Sequence, residues 1–234
     1  MGKNKQRKFR ELATFPNTFQ NYELNEQNWQ HACLINHQGQ VVKMAGRWSS
    51  DYFKNDHPIV LELACGRGEY AIAMAKRFPE KNFIGIDIKG NRIWGGASTA
   101  LEEGINNVAF VRTRIELLHL FFGAREISEI WITFPDPFLP ERRQSRRLTH
   151  TRFLKMYRKL LAKDGVVHLK TDSEPLYIFT KLMIEENQAT TFTDLEDVYS
   201  ATDVDPLLTE VQTKYESMHL KNGLTIKYLK FGLT

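Results

Sequence analysis

Pro58-Ile59-Val60-Leu61-Glu62-Leu63-Ala64-Cys65-Gly66-Arg67-Gly68 is an apolar strand pattern that runs directly into a glycine turn. The residues after the turn predict a helix, because the apolar ones recur at helical spacing, at positions 71, 74, 75 and 78. Residues 82–86 are a second apolar strand, which ends on Asp87. A strand, a helix and a further strand in this order predict a parallel sheet with helices packed on it.

The same alternation continues along most of the chain. Further strands are expected at residues 108–111, 129–134, 166–169, 191–199 and 224–228. Helices are expected at residues 91–103, near 116–121, from about Phe153 to an end at Asp164-Gly165, and after Asp172. The last two strands lack a full crossover helix between them, which fits an antiparallel edge. We therefore predict an α/β, Rossmann-like fold with a mostly parallel, seven-stranded sheet, helices on both faces and an antiparallel C-terminal edge.

Basic residues are unevenly distributed along the 234 residues, although the net charge of +4 is modest. They concentrate at the N-terminus, at residues 142–147 and along the helix that follows, which suggests a polyanionic partner such as nucleic acid. Residues 1–50 are expected to form a basic arm and a lead-in, flexible up to about residue 30, in front of a domain at residues 51–234. Trp48 is expected to pack on that domain.

Composition favours a cytoplasmic protein. No apolar run approaches the roughly 18 residues needed to span a bilayer, and the basic start is not followed by the apolar segment of a secretory signal. The two cysteines, Cys33 and Cys65, fit a reducing compartment. The histidines and cysteines lack the spacing of metal ligands, so no metal site is expected.

The glycine turn leaves the identity of the ligand open. Gly66-x-Gly68-x-x-Ala71 with Asp87 downstream matches the dinucleotide fingerprint, and enzymes that use S-adenosylmethionine employ the same two features. Glu62 within the first strand favours S-adenosylmethionine, since methyltransferases commonly place an acid there. The alternatives are a nicotinamide enzyme and a turn whose glycines serve packing only.

A second functional stretch follows the strand at residues 129–134. Pro135 and Pro137 end the strand and hold Asp136 at its carboxyl end, where open α/β sheets bind ligands. Asp136-Pro137-Phe138 resembles the Asn/Asp-Pro-Pro-aromatic signature of methyltransferases that act on nitrogen. Four arginines follow within six residues, at positions 142, 143, 146 and 147. The stretch suggests a small-molecule pocket that opens onto a polyanion.

From about residue 58 to its C-terminus the chain resembles the bacterial tRNA (guanine-N(7)-)-methyltransferases, which are class I S-adenosylmethionine-dependent enzymes. The resemblance consists of several separated motifs in the right order. They are Leu61–Tyr70, Phe83–Ile88, Phe134–Phe138 with Arg142, Arg146, Arg147, Leu148 and Thr149, then His168–Asp172, and Thr213-Lys214-Tyr215-Glu216 with Gly223 and Ile226.

The resemblance implies roles for these residues. Glu62, Gly66, Gly68, Asp87 and Asp136 are expected to bind S-adenosylmethionine, with Asp136 as the catalytic residue. Asp172 and Thr213-Lys214-Tyr215-Glu216 are expected to bind the target guanine, although helix capping is an alternative role for Asp172. The arginines at 142, 143, 146 and 147 are expected to hold tRNA phosphates.

The chain departs from the family pattern at three positions. Arg114 stands where an acid near the adenine is common, so that Glu116 or backbone groups are left to bind the adenine. Pro140 replaces a lysine and Phe138 replaces a tryptophan, and Arg142 or Arg143 is the candidate to compensate for that lysine.

The function implied is methyl transfer from S-adenosylmethionine to nitrogen 7 of a guanine in tRNA, by a monomer or a homodimer without a metal. The alternative is an RNA-binding protein of the same fold with lost or altered activity. Arg114 and Pro140 are the residues that keep this alternative open.

Overall fold

The computed structural model describes residues 3–233, and the side chains of residues 4–233. Residues 1–2, which begin the predicted basic arm, and residue 234 lie outside this range. The chain forms two compact units, Met1–Ile127 and Ser128–Thr234.

The described part of the first unit contains six strands, and three of its strand pairs are parallel. The strands are β1 (Thr18–Gln20), β2 (Leu34–Ile35), β3 (Val41–Val42), β4 (Ile59–Leu63), β5 (Asn82–Asp87) and β6 (Val108–Arg112), in the order β3-β2-β1-β6-β5-β4. The pairs β4–β5, β5–β6 and β1–β6 are parallel, whereas β1–β2 and β2–β3 are antiparallel. The helices are α1 (Lys3–Leu12), α2 (Glu69–Arg77), α3 (Gly90–Glu102) and α4 (Leu118–Phe121).

The second unit carries the antiparallel edge that the sequence predicts. Its strands are β7 (Ile127–Thr133), which starts at the boundary of the units, β8 (Leu161–Thr171), β9 (Thr190–Leu195) and β10 (Lys227–Gly232), in the order β7-β8-β10-β9. Strand β10 pairs antiparallel with both β8 and β9. The helices are α5 (Thr151–Leu160), α6 (Glu174–Glu186), α7 (Leu207–Glu210) and α8 (Lys214–Lys221).

The predicted α/β class is confirmed, and the number of strands is higher than the predicted seven. The part of the chain that the structure describes has ten strands, and the three additional ones, β1 to β3, come from the lead-in before residue 50. They are only two or three residues long, which is too short for an alternating pattern to be recognised in the sequence.

The expectation of a flexible arm up to about residue 30 is wrong for its described residues. Helix α1 packs on α3, where Leu12 is fully buried and the Trp94 indole Nε1 donates to Glu11 Oε2 at 2.8 Å. Phe9 and Leu12 lie three residues apart on one helix face, and both reach the backbone of Gly90. The prediction of a flexible arm rested on the charge of this segment and missed its narrow apolar face. Trp48 packs as expected: it is fully buried and stacks on Phe122 with ring centroids 5.3 Å apart.

In the second unit, two predicted ends of helices or strands differ from those in the structure. Helix α5 ends at Leu160 rather than at Asp164-Gly165, because Leu161 already has extended backbone angles (φ −69°, ψ 139°) and is buried as the first residue of β8. Gly165 lies inside β8, where a side chain would meet Leu161 at 3.0 Å. Strand β10 begins at Lys227, three residues after the predicted Leu224, which is 44% exposed.

A fully buried ring, Phe110 of β6, is surrounded by glycines of the first unit. Added Cβ atoms at Gly85 and Gly96 would lie 2.8 Å from this ring, and one at Gly68 would also collide with it. Such distances are shorter than van der Waals contact. The glycine turn before α2 therefore depends on the absence of side chains at these positions.

We expect Gly96→Ala to lower the free energy of unfolding by about 1–3 kcal/mol, the usual cost of overpacking a core. The new methyl group would meet the Arg67 carbonyl oxygen at 2.5 Å and Phe110 at 2.8 Å. Gly95→Ala is the matched control, because its nearest neighbour is 3.9 Å away and alanine favours the helix by up to about 1 kcal/mol. Urea unfolding measures both variants, and equal stabilities for the two would contradict the packing argument.

Candidate functional site

The turn between β4 and α2 leaves open space at one glycine and uses the other for packing. Gly66 and Gly68 have positive φ angles of 57° and 69°, which favour glycine at both positions. A Cβ at Gly66 would have open space around it, whereas one at Gly68 would strike Phe110. The two interpretations of the glycine motif, ligand approach and packing, therefore apply to different residues.

Two buried carboxylates hold this turn in place. Asp87, at the end of β5, accepts hydrogen bonds from the backbone N–H groups of Gly66 at 2.9 Å and Lys89 at 2.7 Å. Glu62 in β4 accepts one from the N–H of Ala71 at 2.9 Å and so ties the first turn of α2 to the sheet. Each carboxylate oxygen can accept more than one hydrogen bond, so Asp87 can also accept from hydroxyl groups beside the open backbone of Gly66. This arrangement fits the ribose of a nucleoside cofactor.

Cys65, between these carboxylates and the glycines, is a packing residue. Burial, together with the negative charges of Glu62 and Asp87, raises the pKa of its thiol well above the usual value. The thiol therefore stays neutral, which makes it a poor nucleophile.

Arg114 and Glu116, the two candidates near the adenine, form an ion pair. Their closest nitrogen and oxygen atoms are 3.5 Å apart, and each side chain is about a quarter exposed, at 28% and 23%. The guanidinium also lies 5.4 Å from the centroid of the Trp29 ring and 3.8 Å from Glu26. Trp29 and Glu26 belong to the short 3-10 helix Glu26–His31 of the lead-in, which sequence reasoning did not connect with the site.

Asp136 lies on a constrained backbone at the end of β7. Its side chain is exposed, and its Oδ1 accepts from the N–H of Phe138 at 3.3 Å. Phe134 and Phe138, on either side, have φ angles of 47° and 43°. Bulky residues rarely adopt such angles, and strain of this kind is concentrated at functional sites. The prediction that the two prolines place Asp136 at the strand end agrees with this geometry.

The four arginines do not form one cluster. Arg142, Arg143 and Arg146 are exposed on the 3-10 helix Glu141–Arg146, as expected for a surface that binds phosphates. Arg147 is only 4% exposed. Its guanidinium donates to the carbonyl oxygens of Pro137 at 3.0 Å and Phe138 at 3.3 Å and lies over the ring of Phe179. The expectation that Arg147 holds phosphate is therefore corrected: this arginine supports the Asp136 segment from inside.

Asp172 does not cap α6. Ser173 is the N-cap residue, and its hydroxyl accepts from the N–H of Leu176 at 3.3 Å. The Asp172 carboxylate instead lies 3.5 Å from Nδ1 of His219 in α8 and is 27% exposed. The capping interpretation of Asp172 is therefore wrong, and its carboxylate remains available for another role.

The segment Thr213-Lys214-Tyr215-Glu216 begins α8 and divides into two parts. Lys214 and Tyr215 are exposed, whereas Thr213 is the N-cap residue and accepts from the N–H of Glu216 at 3.1 Å. Glu216 is fully buried. Its Oε1 lies 2.5 Å from the Lys170 ammonium, which is also fully buried, and accepts from the Tyr199 hydroxyl at 2.9 Å.

Sequence reasoning missed Lys170 and His219, which contact two of the predicted guanine-binding carboxylates. A signal for Lys170 was present, since a lysine inside the apolar strand Val166–Thr171 needs a buried partner. No comparable signal marked His219, because its partner Asp172 is 47 residues away in the sequence.

Comparison with known proteins agrees with this geometry. Residues 56–229 match the model of a family described as putative methyltransferases. A tRNA (guanine-N(7)-)-methyltransferase of Porphyromonas gingivalis is 50% identical over 222 residues, which cover 95% of this chain and 86% of the relative. The chain belongs to the tRNA (guanine-N(7)-)-methyltransferase family. A second member, from Christiangramia forsetii, is 46% identical over 99% of this chain and 98% of its own length.

Family membership confirms the resemblance that the sequence motifs predicted. The fold is also that of methyltransferases that act on ribosomal RNA. The 30S ribosomal A1408 methyltransferase from an uncultured bacterium superposes with a TM-score of 0.58 at 15% identity, over 82% of this chain and 95% of its own. The fold and the family together imply S-adenosylmethionine as the cofactor of this tRNA (guanine-N(7)-)-methyltransferase family member.

Among residues 3–233 no helix is long and apolar enough to cross a membrane. Within the same range, no group of three or more histidine, cysteine, aspartate or glutamate side chains is arranged to hold a metal ion.

Proposed function

We propose that this protein transfers a methyl group from S-adenosylmethionine to nitrogen 7 of a guanine in tRNA. The observation that carries the proposal is the Asp87 carboxylate bonded to the backbone of the open Gly66 turn, in a chain half identical to a tRNA (guanine-N(7)-)-methyltransferase. We place the protein in the cytoplasm as a monomer or a homodimer, with residues 51–234 as the methyltransferase domain and residues 1–50 as its lead-in.

The cofactor is assigned to residues of the first unit. Asp87 accepts from the ribose hydroxyls, Gly66 offers its exposed backbone, and Gly68 allows the turn to form. Glu62 fixes the start of α2, and Arg114 with Glu116 borders the adenine. S-adenosylmethionine supplies a methyl group on a positively charged sulfur. The residues of this chain bind and orient the reactants.

The target atom needs no general base. Nitrogen 7 of guanine carries a free lone pair and no proton, so that correct alignment of the two reactants supplies most of the rate, on the order of 7–11 kcal/mol. The base becomes positively charged during transfer. We assign Asp136 the catalytic role of stabilising this charge, and we assign Asp172, with Thr213, Lys214 and Tyr215, to binding of the base. The expectation that Glu216 contacts the base is corrected, because Glu216 is fully buried and paired with Lys170.

Phosphates of the tRNA are assigned to the exposed arginines of the Glu141–Arg146 helix. Arg142 and Arg143 follow Pro140, the position where relatives with the family pattern have a lysine, and they are the candidates to replace its positive charge. Arg146 completes this surface.

Arg146→Ala should raise the tRNA concentration needed for half-maximal rate several-fold. It should also reduce the dependence of tRNA affinity on salt concentration by about one phosphate contact. The physical reason is the loss of one exposed positive charge, and the measurement is KM for tRNA over a range of salt concentrations. Lys43→Ala is the control, since it removes an exposed positive charge from the first unit. An equal rate loss at every tRNA concentration would argue against phosphate binding by Arg146.

Incubation of the purified protein with labelled S-adenosylmethionine and unmodified tRNA, followed by nucleoside analysis, tests the function itself. Label in 7-methylguanosine is the expected result. Cofactor binding without transfer would favour the alternative, an RNA-binding protein with lost activity, for which Arg114 and Pro140 are the motivating departures. Absence of cofactor binding would reject the proposal.

A further inference from the structure

Two side-chain contacts hold α8 against the C-terminal end of β8 and the residue that follows it. Glu216 contacts Lys170 at 2.5 Å, and His219 contacts Asp172 at 3.5 Å. Residues three apart on a helix share a face, as do residues two apart on a strand, so the spacing of the two pairs matches on both elements. The Asp172 carboxylate, which is assigned to the target guanine, is thus already in contact with a side chain of the protein itself.

The two pairs differ greatly in exposure. Lys170 and Glu216 are fully buried, and the Lys170 ammonium also donates to the carbonyl oxygen of Leu208 at 2.5 Å. His219 and Asp172 are 20% and 27% exposed. An exposed pair contributes little to the free energy of unfolding, whereas breaking a buried pair lowers it strongly. The His219 contact is therefore the one that can open without unfolding α8 from the strand.

The surroundings of the His219 ring resemble those that a purine base requires. One ring nitrogen faces the Asp172 carboxylate, and the ring is nearly parallel to Phe134, with an angle of 20° and centroids 5.9 Å apart. Guanine offers N–H donors on its Watson–Crick edge, which a carboxylate can accept, and it presents a flat ring that stacks on aromatic side chains. The smaller imidazole ring likewise stacks on Phe134 and places a ring nitrogen near the Asp172 carboxylate.

We propose that His219 occupies the place of the target guanine in the free protein and is displaced when the base enters. This inference rests on the proposed function, because that function assigns Asp172 to the guanine. Displacement exchanges one ring that stacks on Phe134 and contacts the Asp172 carboxylate for another, so that both residues keep a partner. The buried Lys170–Glu216 pair keeps the start of α8 in place while His219 leaves.

Removal of the imidazole therefore tightens binding of tRNA. We expect His219→Ala to lower the Kd for unmodified tRNA, measured by filter retention, by roughly two- to fivefold, the size of one partly exposed ion pair. KM for tRNA falls similarly, and kcat changes less. His219→Phe keeps the ring but removes the contact with the carboxylate, and its Kd lies between those of the wild type and His219→Ala.

Met218→Ala is the matched control, since this neighbouring side chain on α8 is 48% exposed and is not among the residues assigned to the base. A Kd for His219→Ala equal to that of Met218→Ala would overturn the inference, and a higher Kd would overturn it by making His219 a contact of the bound tRNA. Failure of the proposed function would be seen in a different experiment, as the absence of 7-methylguanosine after incubation of the wild-type protein with S-adenosylmethionine and tRNA. The Kd comparison requires no transfer and decides the inference in that case as well.

Discussion

Lys170→Met should lower the free energy of unfolding by about 3–5 kcal/mol, the cost of removing one partner of a buried ion pair. Lys170 and Glu216 are both fully buried, and Lys170 donates to Glu216 and to the Leu208 carbonyl. Methionine has a similar length but no charge. Among the described residues, the Glu216 carboxylate would then keep the Tyr199 hydroxyl as its hydrogen-bond donor. Urea unfolding followed by circular dichroism measures the loss.

The double variant Lys170→Met with Glu216→Leu is the control for this prediction. Replacing both charges by apolar side chains removes the uncompensated carboxylate, and the stability should return to near that of the wild type. A loss below about 1 kcal/mol for Lys170→Met alone would show that the pair contributes no more than one exposed at the surface.

Asp87→Ala should weaken S-adenosylmethionine binding by roughly a hundredfold or more, because hydrogen bonds to a charged group contribute about 1.5–3 kcal/mol each. The substitution removes the proposed ribose acceptor. It also removes the acceptor for the N–H groups of Gly66 and Lys89, so that the open turn loses its fixed position. Isothermal titration calorimetry with S-adenosylmethionine measures the change.

Glu80→Ala is the matched control for Asp87→Ala, since Glu80 is an exposed acid just before the opposite end of β5. Its cofactor affinity should equal that of the wild type. Asp87→Asn keeps one oxygen acceptor and loses the charge. Its affinity for S-adenosylmethionine should lie between those of Asp87→Ala and Glu80→Ala. An Asp87→Ala protein that binds the cofactor as the wild type does would reject Asp87 as the ribose acid.

The periodic part of the fold was predictable because its elements are long enough to show a pattern. Strands β4 to β10 and helices α2, α3, α5 and α6 all correspond to apolar patterns in the sequence. Strands β1 to β3 were missed because they are two or three residues long, and α1 was missed because its charge hid the face formed by Phe9 and Leu12. The end of α5 was misplaced because Leu161 is apolar in either element.

The candidate site was predictable where ligand-binding residues follow directly after a strand. Asp87 and Asp136 were assigned because each ends or directly follows an apolar strand; in the structure Asp87 is the last residue of β5, and Asp136 lies three residues after the end of β7. Arg147 was misassigned because four arginines in six residues look alike in a sequence. Only burial separates Arg147, at 4% exposure, from its exposed neighbours.

By itself the sequence determined the α/β class, the glycine turn, the acids at the strand ends and the methyltransferase family, because each depends on short-range order along the chain. The tertiary structure alone decided which charges are buried and what they contact. Lys170 meets Glu216 across 46 residues, and His219 meets Asp172 across 47. Such pairs leave no periodic trace, since the partners become neighbours only when α8 packs on β8. The contacts of Lys170 and His219 are therefore ones that only the folded chain reveals.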